Sequence, residues 1–344
     1  MNDRTITLRH VYEARQTIAG IALRTPLISS EWMTEQTGAA VHLKLENLQR
    51  TGSFKIRGAA NKLQALPQGE RRRGVITVSS GNHGRAVGHV ARHLGIKAVV
   101  CMSTRVPANK VEAIQRLGPE IVLQGQSYDD AERHALSLQQ ERGLTMIPPF
   151  DDTHIIAGQG TIGLELLEEL PDVDTVVVPL SGGGLLSGIA LTLKSADASI
   201  RTVGASMERA PVMYHSLRAG RPIQMEEEDT LADALVGGIG SDNQFTFRMV
   251  QESVDETVLV SEREIAHAMA FALEHHHQVV EGGGAVALAA VLHGKVKELG
   301  QRVVVVVSGG NVEIPLLLEV VRRHGNVEGV SSEPTYWSPL RSTG

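Results

Sequence analysis

The chain has 344 residues, a formal net charge of −6, 42% hydrophobic residues and 21% charged residues. These values are typical of a water-soluble globular protein long enough for two lobes, and the acidic balance argues against a nucleic-acid partner. A single cysteine, Cys101, excludes an intrachain disulfide framework and a CxxC metal site. The opening MNDRTITLRH lacks the pattern of a secretory signal, and the aliphatic runs are far shorter than the ~20 residues of a membrane-spanning helix. We therefore expect a cytoplasmic protein without a membrane partner.

Short β-branched runs alternate along the chain with longer amphipathic stretches. Because parallel strands need crossover connections and are covered on both faces, this alternation predicts an α/β fold with parallel sheets. The predicted strands are Val75–Val78, Lys97–Met102, Ile121–Leu123, Thr175–Pro179, Thr202–Ser206 and Arg302–Val307. The predicted helices are Arg85–Leu94, Asn109–Arg116, Ser127–Glu141, Gly160–Leu170 and Glu262–His275.

Three glycine-rich stretches directly follow predicted strands. They are SSGNHG at Ser79–Gly84, SGGG at Ser181–Gly184 and SGGN at Ser308–Asn311. In open α/β sheets, ligands bind beyond the carboxyl ends of the strands. We therefore expect these three loops to line one cleft.

The segment TGSFKIRGAANKL places a lysine at the start of a predicted helix. Thr51 or Ser53 can cap this helix, which puts Lys55 in its first turn, where the helix dipole disfavours a cation. Partial burial would lower the pKa of Lys55 further, and addition to a carbonyl group requires a neutral amine. The alternative is a solvated surface lysine without a catalytic role.

The loop SGGGLLSG lies between a predicted strand and a helical stretch. Free backbone amides at a helix N-terminus favour an anion, so the loop predicts a phosphate site. One alternative is a tight turn without a ligand. Another is a dinucleotide site, because Gly182 and Gly184 form G-x-G and Glu208 follows the next strand, but Ser187 occupies the third glycine position.

Two charged runs have simpler interpretations than metal binding. The run His275-His276-His277 is interpreted as a helix C-terminus, because consecutive helical residues point in different directions. The acidic run at 226–229 lacks the Asp-x-Asp-x-Asp-Gly pattern of a calcium loop and is interpreted as a solvated loop. No G-x-S-x-G motif is present to indicate a serine hydrolase.

Five stretches in register resemble the motifs of the pyridoxal-phosphate (PLP)-dependent threonine/serine dehydratase family. They are LENLQRTGSFKIRGA, SSGNHGRAVG, IAGQGTIGLE, SGGGLLSGIA and VVVVSGGNV. The resemblance implies the fold type II arrangement, which is tryptophan synthase β-like and shared with serine racemase: two open parallel-sheet α/β domains with the cofactor cleft between them. It implies a large domain of residues 1–52 and 150–325, a small domain of 53–149, a C-terminal tail of 326–344 and a homodimer.

The resemblance also implies roles for particular residues. Lys55 would form the Schiff base with PLP, Ser308 would face the pyridine nitrogen, and Ser181, where the family usually has glycine, would donate its hydroxyl to the phosphate. The implied cofactor contacts are Phe54, Lys55, Asn82, Ser181, Gly182, Gly183, Gly184, Leu185 and Ser308. The implied contacts to the substrate carboxylate are Ser80, Gly81, Asn82 and His83.

The reaction that the resemblance implies is β-elimination of water from a small β-hydroxy amino acid, giving a 2-keto acid and ammonia. Lys55 would remove the α-proton. A serine at position 308 cannot hold a full pyridinium charge, which favours prompt loss of the β-hydroxyl. Racemisation is the alternative within catalysis, with Ser80 as the second acid/base. Outside this chemistry stand a non-catalytic amino-acid-binding protein and a nicotinamide oxidoreductase.

Finer features concern the substrate and the departures from the family. The stretches TLRHVYEARQTIAG and LADALVGGIGSDNQFTF resemble the hydroxyectoine-utilisation dehydratases, which implies a hydroxylated diamino acid as substrate. Tyr128 and Asp242 are candidates to contact its side chain.

The chain ends without a second α/β module, which predicts a catabolic role. Glu208 stands where some relatives bind a divalent metal, but Tyr214 lies near the second ligand position, so no metal is expected. Loss of the relatives' proline in the stretch 281–285, EGGGA, predicts a more mobile loop.

Overall fold

The computed structural model describes residues 5–325, so the predicted tail of residues 326–344 lies outside the described residues. Within this range the chain forms ten strands and fourteen α-helices. The strands are β1 (Leu27–Ser29), β2 (Ala40–Leu45), β3 (Val75–Val78), β4 (Ala98–Met102), β5 (Glu120–Leu123), β6 (Thr145–Met146), β7 (Thr175–Pro179), β8 (Arg201–Met207), β9 (Glu256–Val260) and β10 (Arg302–Val307). The helices are α1 (Leu8–Thr17), α2 (Glu31–Thr37), α3 (Lys55–Ala65), α4 (Gln68–Arg73), α5 (Asn82–Leu94), α6 (Ala108–Gln115), α7 (Tyr128–Arg142), α8 (Thr153–Glu169), α9 (Gly184–Ala196), α10 (Val212–Ala219), α11 (Thr246–Ser253), α12 (Glu262–His276), α13 (Gly282–Leu292) and α14 (Ile314–His324). None of these helices is long and apolar enough to cross a membrane.

The larger sheet has six strands in the order β1-β2-β10-β7-β8-β9. All neighbours are parallel except β1 and β2, which pair antiparallel at one edge. Because side chains alternate along a strand, the valine run of β10 divides between two cores. Val303, Val305 and Val307 pack with the inner faces of α12 and α13, whereas Val304 and Val306 pack with α8 and α9. This burial on both faces explains why the strand is apolar throughout.

The smaller sheet has four parallel strands in the order β5-β4-β3-β6. One of its cores combines β3 with the apolar faces of α3 and α5, and the other combines β3 and β4 with α7. Cys101 on β4 is fully buried in the second core, and burial raises the pKa of its thiol to about 11. Cys101 is therefore a structural thiol rather than an activated nucleophile.

A buried ion cluster fixes α3, the helix that begins at Lys55. Arg57 lies 2.8 Å from Glu46 and 2.6 Å from Glu165, and Lys44 on β2 lies 2.8 Å from Glu165. Arg57, Glu46 and Lys44 are each at most 1% exposed. Although burial alone would lower the pKa of Arg57, the charges of Glu46 and Glu165 outweigh it and raise that pKa. Opposite charges therefore hold α3 against β2 and α8 from within the core.

Candidate active site

The carboxyl ends of both sheets open onto one cleft of about 870 Å³. Residues of all three predicted glycine-rich loops line it, and Lys55 lies on its wall. Parallel strands end at the same edge of a sheet, so loops distant in the sequence meet there. The structure therefore brings together the predicted lysine and the predicted ligand-binding loops.

Lys55 is the first residue of α3, and its Nζ atom donates a hydrogen bond to the carbonyl oxygen of Pro149 at 2.8 Å. Burial lowers the pKa of Lys55 to about 8, against the opposing charge of Glu281. The same Nζ lies 5.2 Å from the ring centroid of Phe54. Roughly a tenth of this amine is thus neutral at pH 7, far more than for an ordinary lysine, and nucleophilic addition requires the neutral form.

The predicted cap of α3 is wrong, because neither Thr51 nor Ser53 caps the helix. Their segment is instead bound to the loop after β10: Phe54 N donates to Ser308 O at 3.1 Å, and Ser53 forms an isolated bridge with Gly309. The Thr51 and Ser53 hydroxyls are thereby turned inward, and neither has a hydrogen-bond partner among residues 5–325.

The SSGNHG loop leads into α5, which begins at Asn82, so its first amides have no carbonyl one turn back. Ser80 and Gly81 line the cleft beside these amides. Burial, followed by repulsion from Lys55, lowers the pKa of His83 to about 3. His83 is therefore neutral, and its Nε2 donates to the carbonyl oxygen of Ile147 at 3.0 Å. This helix start can accept a carboxylate through backbone amides.

The SGGG loop leads into α9, and Gly183 immediately before that helix has a φ of +85°, which favours glycine. Phe150 packs so closely on the loop that a Cβ at Gly182 would collide with its ring. Ser181 donates its hydroxyl to the carbonyl oxygen of Leu235 at 2.8 Å, rather than leaving it for a phosphate as expected. The anion-binding capacity of this loop accordingly lies in its backbone amides and the α9 dipole.

Glu281 is a buried member of the site that the sequence placed in a mobile loop. It immediately precedes α13, and Gly282 and Gly284 lie inside that helix, where a Cβ would collide with Leu231 O and Gly309 O respectively. The close packing of these glycines contradicts the predicted mobility. Glu281 accepts hydrogen bonds from Asn82 Nδ2 at 2.5 Å and from the backbone amide of Asn311 at 3.0 Å.

Pyridoxal phosphate fits the residues that line this cleft. Lys55 supplies the amine, the glycine loop at α9 supplies an anion cradle of backbone amides, and Asn82 supplies an N–H donor. Ser308 is buried, and its Oγ lies 3.5 Å from Gly283 O, its one hydrogen-bond acceptor among residues 5–325. That hydroxyl can turn to a ring nitrogen at little cost, because so long a contact is weak.

The outer part of the cleft is acidic. Tyr128 and Asp242 both line it, together with Asp129, Glu132 and Glu227. Partial burial and the charges of Glu132, Asp129 and Glu227 raise the pKa of Tyr128 to about 12. The described cations on the cleft wall are Lys55, Arg85 and Lys110, and Lys110 is paired with Asp233 at 2.7 Å.

Glu208 and the histidine run lie outside the site, whereas the acidic run at 226–229 reaches it through Glu227. Glu208 is exposed and is not among the described residues that line the cleft, and residues 5–325 contain no group of three His, Cys, Asp or Glu side chains placed to hold a metal ion. The histidine run ends α12 at His276, with His277 following in the left-handed conformation, as predicted. The acidic run at 226–229 is exposed, as predicted.

Comparison with known proteins supports the same chemistry. The family model described as "Pyridoxal-phosphate dependent enzyme" matches residues 18–309. The chain is 43% identical to the L-threonine ammonia-lyase of Thermotoga maritima, over 92% of this chain and 79% of that protein. It is 39% identical to the catabolic L-threonine dehydratase TdcB of Escherichia coli, over 92% of this chain and 97% of that protein. Among solved structures, maize serine racemase superposes with a TM-score of 0.87 at 35% identity, covering 93% of this chain and 98% of that chain.

Proposed function

Because the chain belongs to the pyridoxal-phosphate-dependent enzymes, in the group of the threonine dehydratases (ammonia-lyases), we propose that it dehydrates a small β-hydroxy amino acid to a 2-keto acid and ammonia. The observation that carries this proposal is the amine of Lys55, with its pKa lowered to about 8, facing the same cleft as the glycine loop of α9. A phosphate held by that loop and a carbonyl group at Lys55 would belong to one small cofactor.

When bound, PLP supplies an electron-withdrawing ring that stabilises the charge left at Cα when a substrate bond is broken. Lys55 is the base that we assign to the α-proton, because its pKa lies near the operating pH of an intracellular enzyme. Pro149 O fixes the direction of its amine by hydrogen bonding. The amides of Gly81, Asn82 and His83, with Ser80, are assigned to the substrate carboxylate.

Ser308 favours elimination over reactions that need a long-lived carbanion. Its hydroxyl can donate to the pyridine nitrogen of PLP but cannot balance a full positive charge there. The cofactor contacts proposed from the phosphate end are Ser181, Gly182, Gly183, Gly184 and Leu185, and Phe54 is proposed to lie against the ring. The neutral partner at position 308 therefore supports rapid departure of the β-hydroxyl.

Racemisation is the second candidate, since Ser80 lines the cleft and serine racemase shares the fold. A hydroxyl on the face of the substrate opposite Lys55 could return a proton to Cα. Measuring D-amino acid beside keto acid distinguishes the two activities. Release of keto acid without D-isomer supports dehydration, and Ser80→Ala then leaves the ratio of products unchanged.

For the physiological substrate we propose a β-hydroxy amino acid with a second amine, as in a hydroxyectoine-derived diamino acid. The acidic lining of the outer cleft supports this choice, because Glu132 and Asp242 have no cationic partner among the described ion pairs. Partial burial raises the pKa of Glu132, and the charges of Asp129 and Asp242 raise it further. A cationic substrate side chain beside Glu132 would stabilise its charged form. The double substitution Glu132→Gln with Asp242→Asn should lower kcat/KM for such a diamine while leaving that for threonine unchanged.

The organisation of the molecule is also proposed. We take residues 53–149 as the small domain because they contain the four-stranded sheet, and residues 1–52 with 150–325 as the large domain. A cytoplasmic homodimer acting in amino-acid catabolism is the proposed form, by analogy with the dehydratase family. Sedimentation of the holoenzyme tests the dimer.

The experiment that tests the function is an absorption spectrum of the purified protein with PLP, before and after addition of L-threonine or L-serine. A visible band that Lys55→Ala abolishes, with keto acid appearing on addition of substrate, supports a PLP dehydratase. A Lys55-dependent band without keto acid from either amino acid would leave the cofactor in place and contradict threonine-like substrates. Absence of a band would contradict the cofactor assignment itself.

A further inference from the structure

A closed ring of hydrogen bonds joins Asn82, Glu281 and Asn311 in the wall of the cleft. Asn82 Nδ2 donates to Glu281 Oε1 at 2.5 Å, and Asn311 N donates to Glu281 Oε2 at 3.0 Å. Asn311 Nδ2 donates to Asn82 Oδ1 at 2.7 Å and closes the ring. The ring thus links the start of α5, the residue before α13 and the loop after β10.

The ring leaves each side-chain amide only one orientation. Asn311 Nδ2 donates to two acceptors, Asn82 Oδ1 and the carbonyl oxygen of Thr51 at 2.8 Å. Turning the Asn311 amide round would set oxygen against oxygen at both contacts, so its nitrogen must face them. Asn82 must in turn direct its oxygen to Asn311 and its nitrogen to Glu281. One N–H of Asn82 then remains without a partner among residues 5–325, on a residue that lines the cleft.

Glu281 is held in this ring at an energetic cost. It is 5% exposed, and burial, assisted by the charge of Asp233, raises the pKa of its carboxyl to about 7 despite the hydrogen bonds from Asn82 and Asn311. The charged groups facing it are Lys55 from α3, Arg85 from α5 and Asp233 across the cleft. A buried carboxyl with a raised pKa does not stabilise the fold above that pH, so stability does not account for its presence.

We propose that Glu281 is a positioning residue. Through its hydrogen bonds with Asn82 and Asn311, it directs the free N–H of Asn82 towards the 3′-oxygen of PLP. The proposal rests on the proposed function, because it takes PLP as the occupant of the cleft. A carboxylate accepts from both ring donors, whereas the amide of Gln offers one acceptor and one donor group. The substitution Glu281→Gln therefore sets an N–H against Asn82 or Asn311 and turns the Asn82 amide out of position.

The test is PLP titration of the apoprotein, followed by the visible absorption of the bound cofactor and its dependence on pH. For Glu281→Gln we expect PLP to bind at least tenfold more weakly and the pH midpoint of the band to shift. Asn311→Ala removes the donor that fixes Asn82 and should act in the same direction. The matched control is Glu262→Gln, because Glu262 likewise accepts from one side chain and one backbone amide, Thr230 Oγ1 and Leu231 N, but does not line the cleft.

The outcomes separate this proposal from the function on which it rests. If the wild-type protein shows a Lys55-dependent band and both ring variants bind PLP within twofold with the same pH midpoint, the positioning role is wrong and the proposed function stands. If the Glu262→Gln control loses affinity as much as the ring variants, the positioning role is likewise wrong. If the wild-type protein shows no Lys55-dependent band, both are wrong.

Discussion

The imidazole of His83 donates from Nε2 to the carbonyl oxygen of Ile147 at 3.0 Å and stays neutral because it is buried beside Lys55. The contact joins the start of α5 to the residue that follows β6, across the smaller sheet. A protonated His83 would carry an unbalanced charge in this place. The relationship therefore makes the fold sensitive to acid.

We expect stability to fall as the pH is lowered through the window between about 6.5 and 3 that His83 defines. The folded pKa of His83 lies below its unfolded value, so the stabilising contribution is complete above pH 6.5 and is lost as the pH falls. Between pH 7 and pH 5 the wild-type protein should lose ~2 kcal/mol more of its free energy of unfolding than His83→Gln. Urea unfolding at the two pH values measures this, with the exposed His93→Gln as control. Equal losses in all three proteins would contradict the assignment.

Replacing Lys55 should stabilise the cofactor-free protein. The pKa of Lys55 in the folded protein, about 8, lies below the usual 10.5. Its charge therefore costs no stability above pH 10.5, and this cost grows as the pH falls and is complete below pH 8. Lys55→Met removes a buried cation but also the hydrogen bond to Pro149, so we expect a net gain on the order of 1 to 2 kcal/mol at pH 7. The gain should shrink when unfolding is repeated at pH 10. Lys97→Met, at an exposed lysine, serves as the control and should change stability by less at both pH values.

The contact between Gly182 and Phe150 predicts a paired effect. In Gly182→Ala the new methyl group collides with the Phe150 ring, and overpacking of this kind costs roughly 1 to 3 kcal/mol. Displacement of the loop should also weaken PLP binding about tenfold, equivalent to ~1.4 kcal/mol. Adding Phe150→Ala should restore part of both losses, and Gly69→Ala, where a Cβ meets nothing closer than 3.6 Å, is the control. Additive losses in the double variant would show that the ring is not the obstacle.

Arg57 should be among the most sensitive positions for stability. Arg57→Met leaves Glu46 and Glu165 buried without their main cation. We expect this to lower the free energy of unfolding by roughly 3 to 5 kcal/mol. The exposed pair of Arg9 and Glu13 gives the comparison, because Arg9→Met should cost under ~1 kcal/mol. Chemical denaturation of both variants decides the matter. Similar small losses would mean that the buried cluster relaxes by admitting water.

The sequence pattern predicted the elements whose burial is uniform. All six predicted strands are present. Five of them are buried almost throughout, because they are covered on both faces, whereas β5 at the edge of the smaller sheet is only partly buried. β2 was missed because AVHLKL carries the polar His42 and Lys44 at positions that the pattern treats as exposed. Lys44 is nevertheless fully buried, and its partners Glu165 and Glu169 come from a helix more than a hundred residues away. No local pattern reports such a partner.

The same limit applies to the candidate site. Lys55 and the glycine loops follow from helix starts and strand ends, which are local features. The ring partners of Asn82 lie 199 and 229 positions along the chain, at Glu281 and Asn311. Asn311 could have been noticed as the last residue of the SGGN loop, but its pairing with Asn82 depends on how the two sheets face each other.

The connection from β6 to α8 has a consequence for how the molecule can vary. Four contacts of the cleft come from residues 147–152. The carbonyl oxygens of Ile147 and Pro149 accept hydrogen bonds from His83 and Lys55, and Phe150 covers the glycine loop. Asp152 caps α8 and pairs with Lys62 at 2.5 Å. Connecting loops usually tolerate insertions and deletions, because their length does not fix the position of a functional group. Here one added residue would shift the lysine's hydrogen-bond partner and the anion cradle out of register together. The length of this connection is therefore constrained by the cleft. In evolution, the substrate-facing loops of this protein can change more easily than this connection can be lengthened.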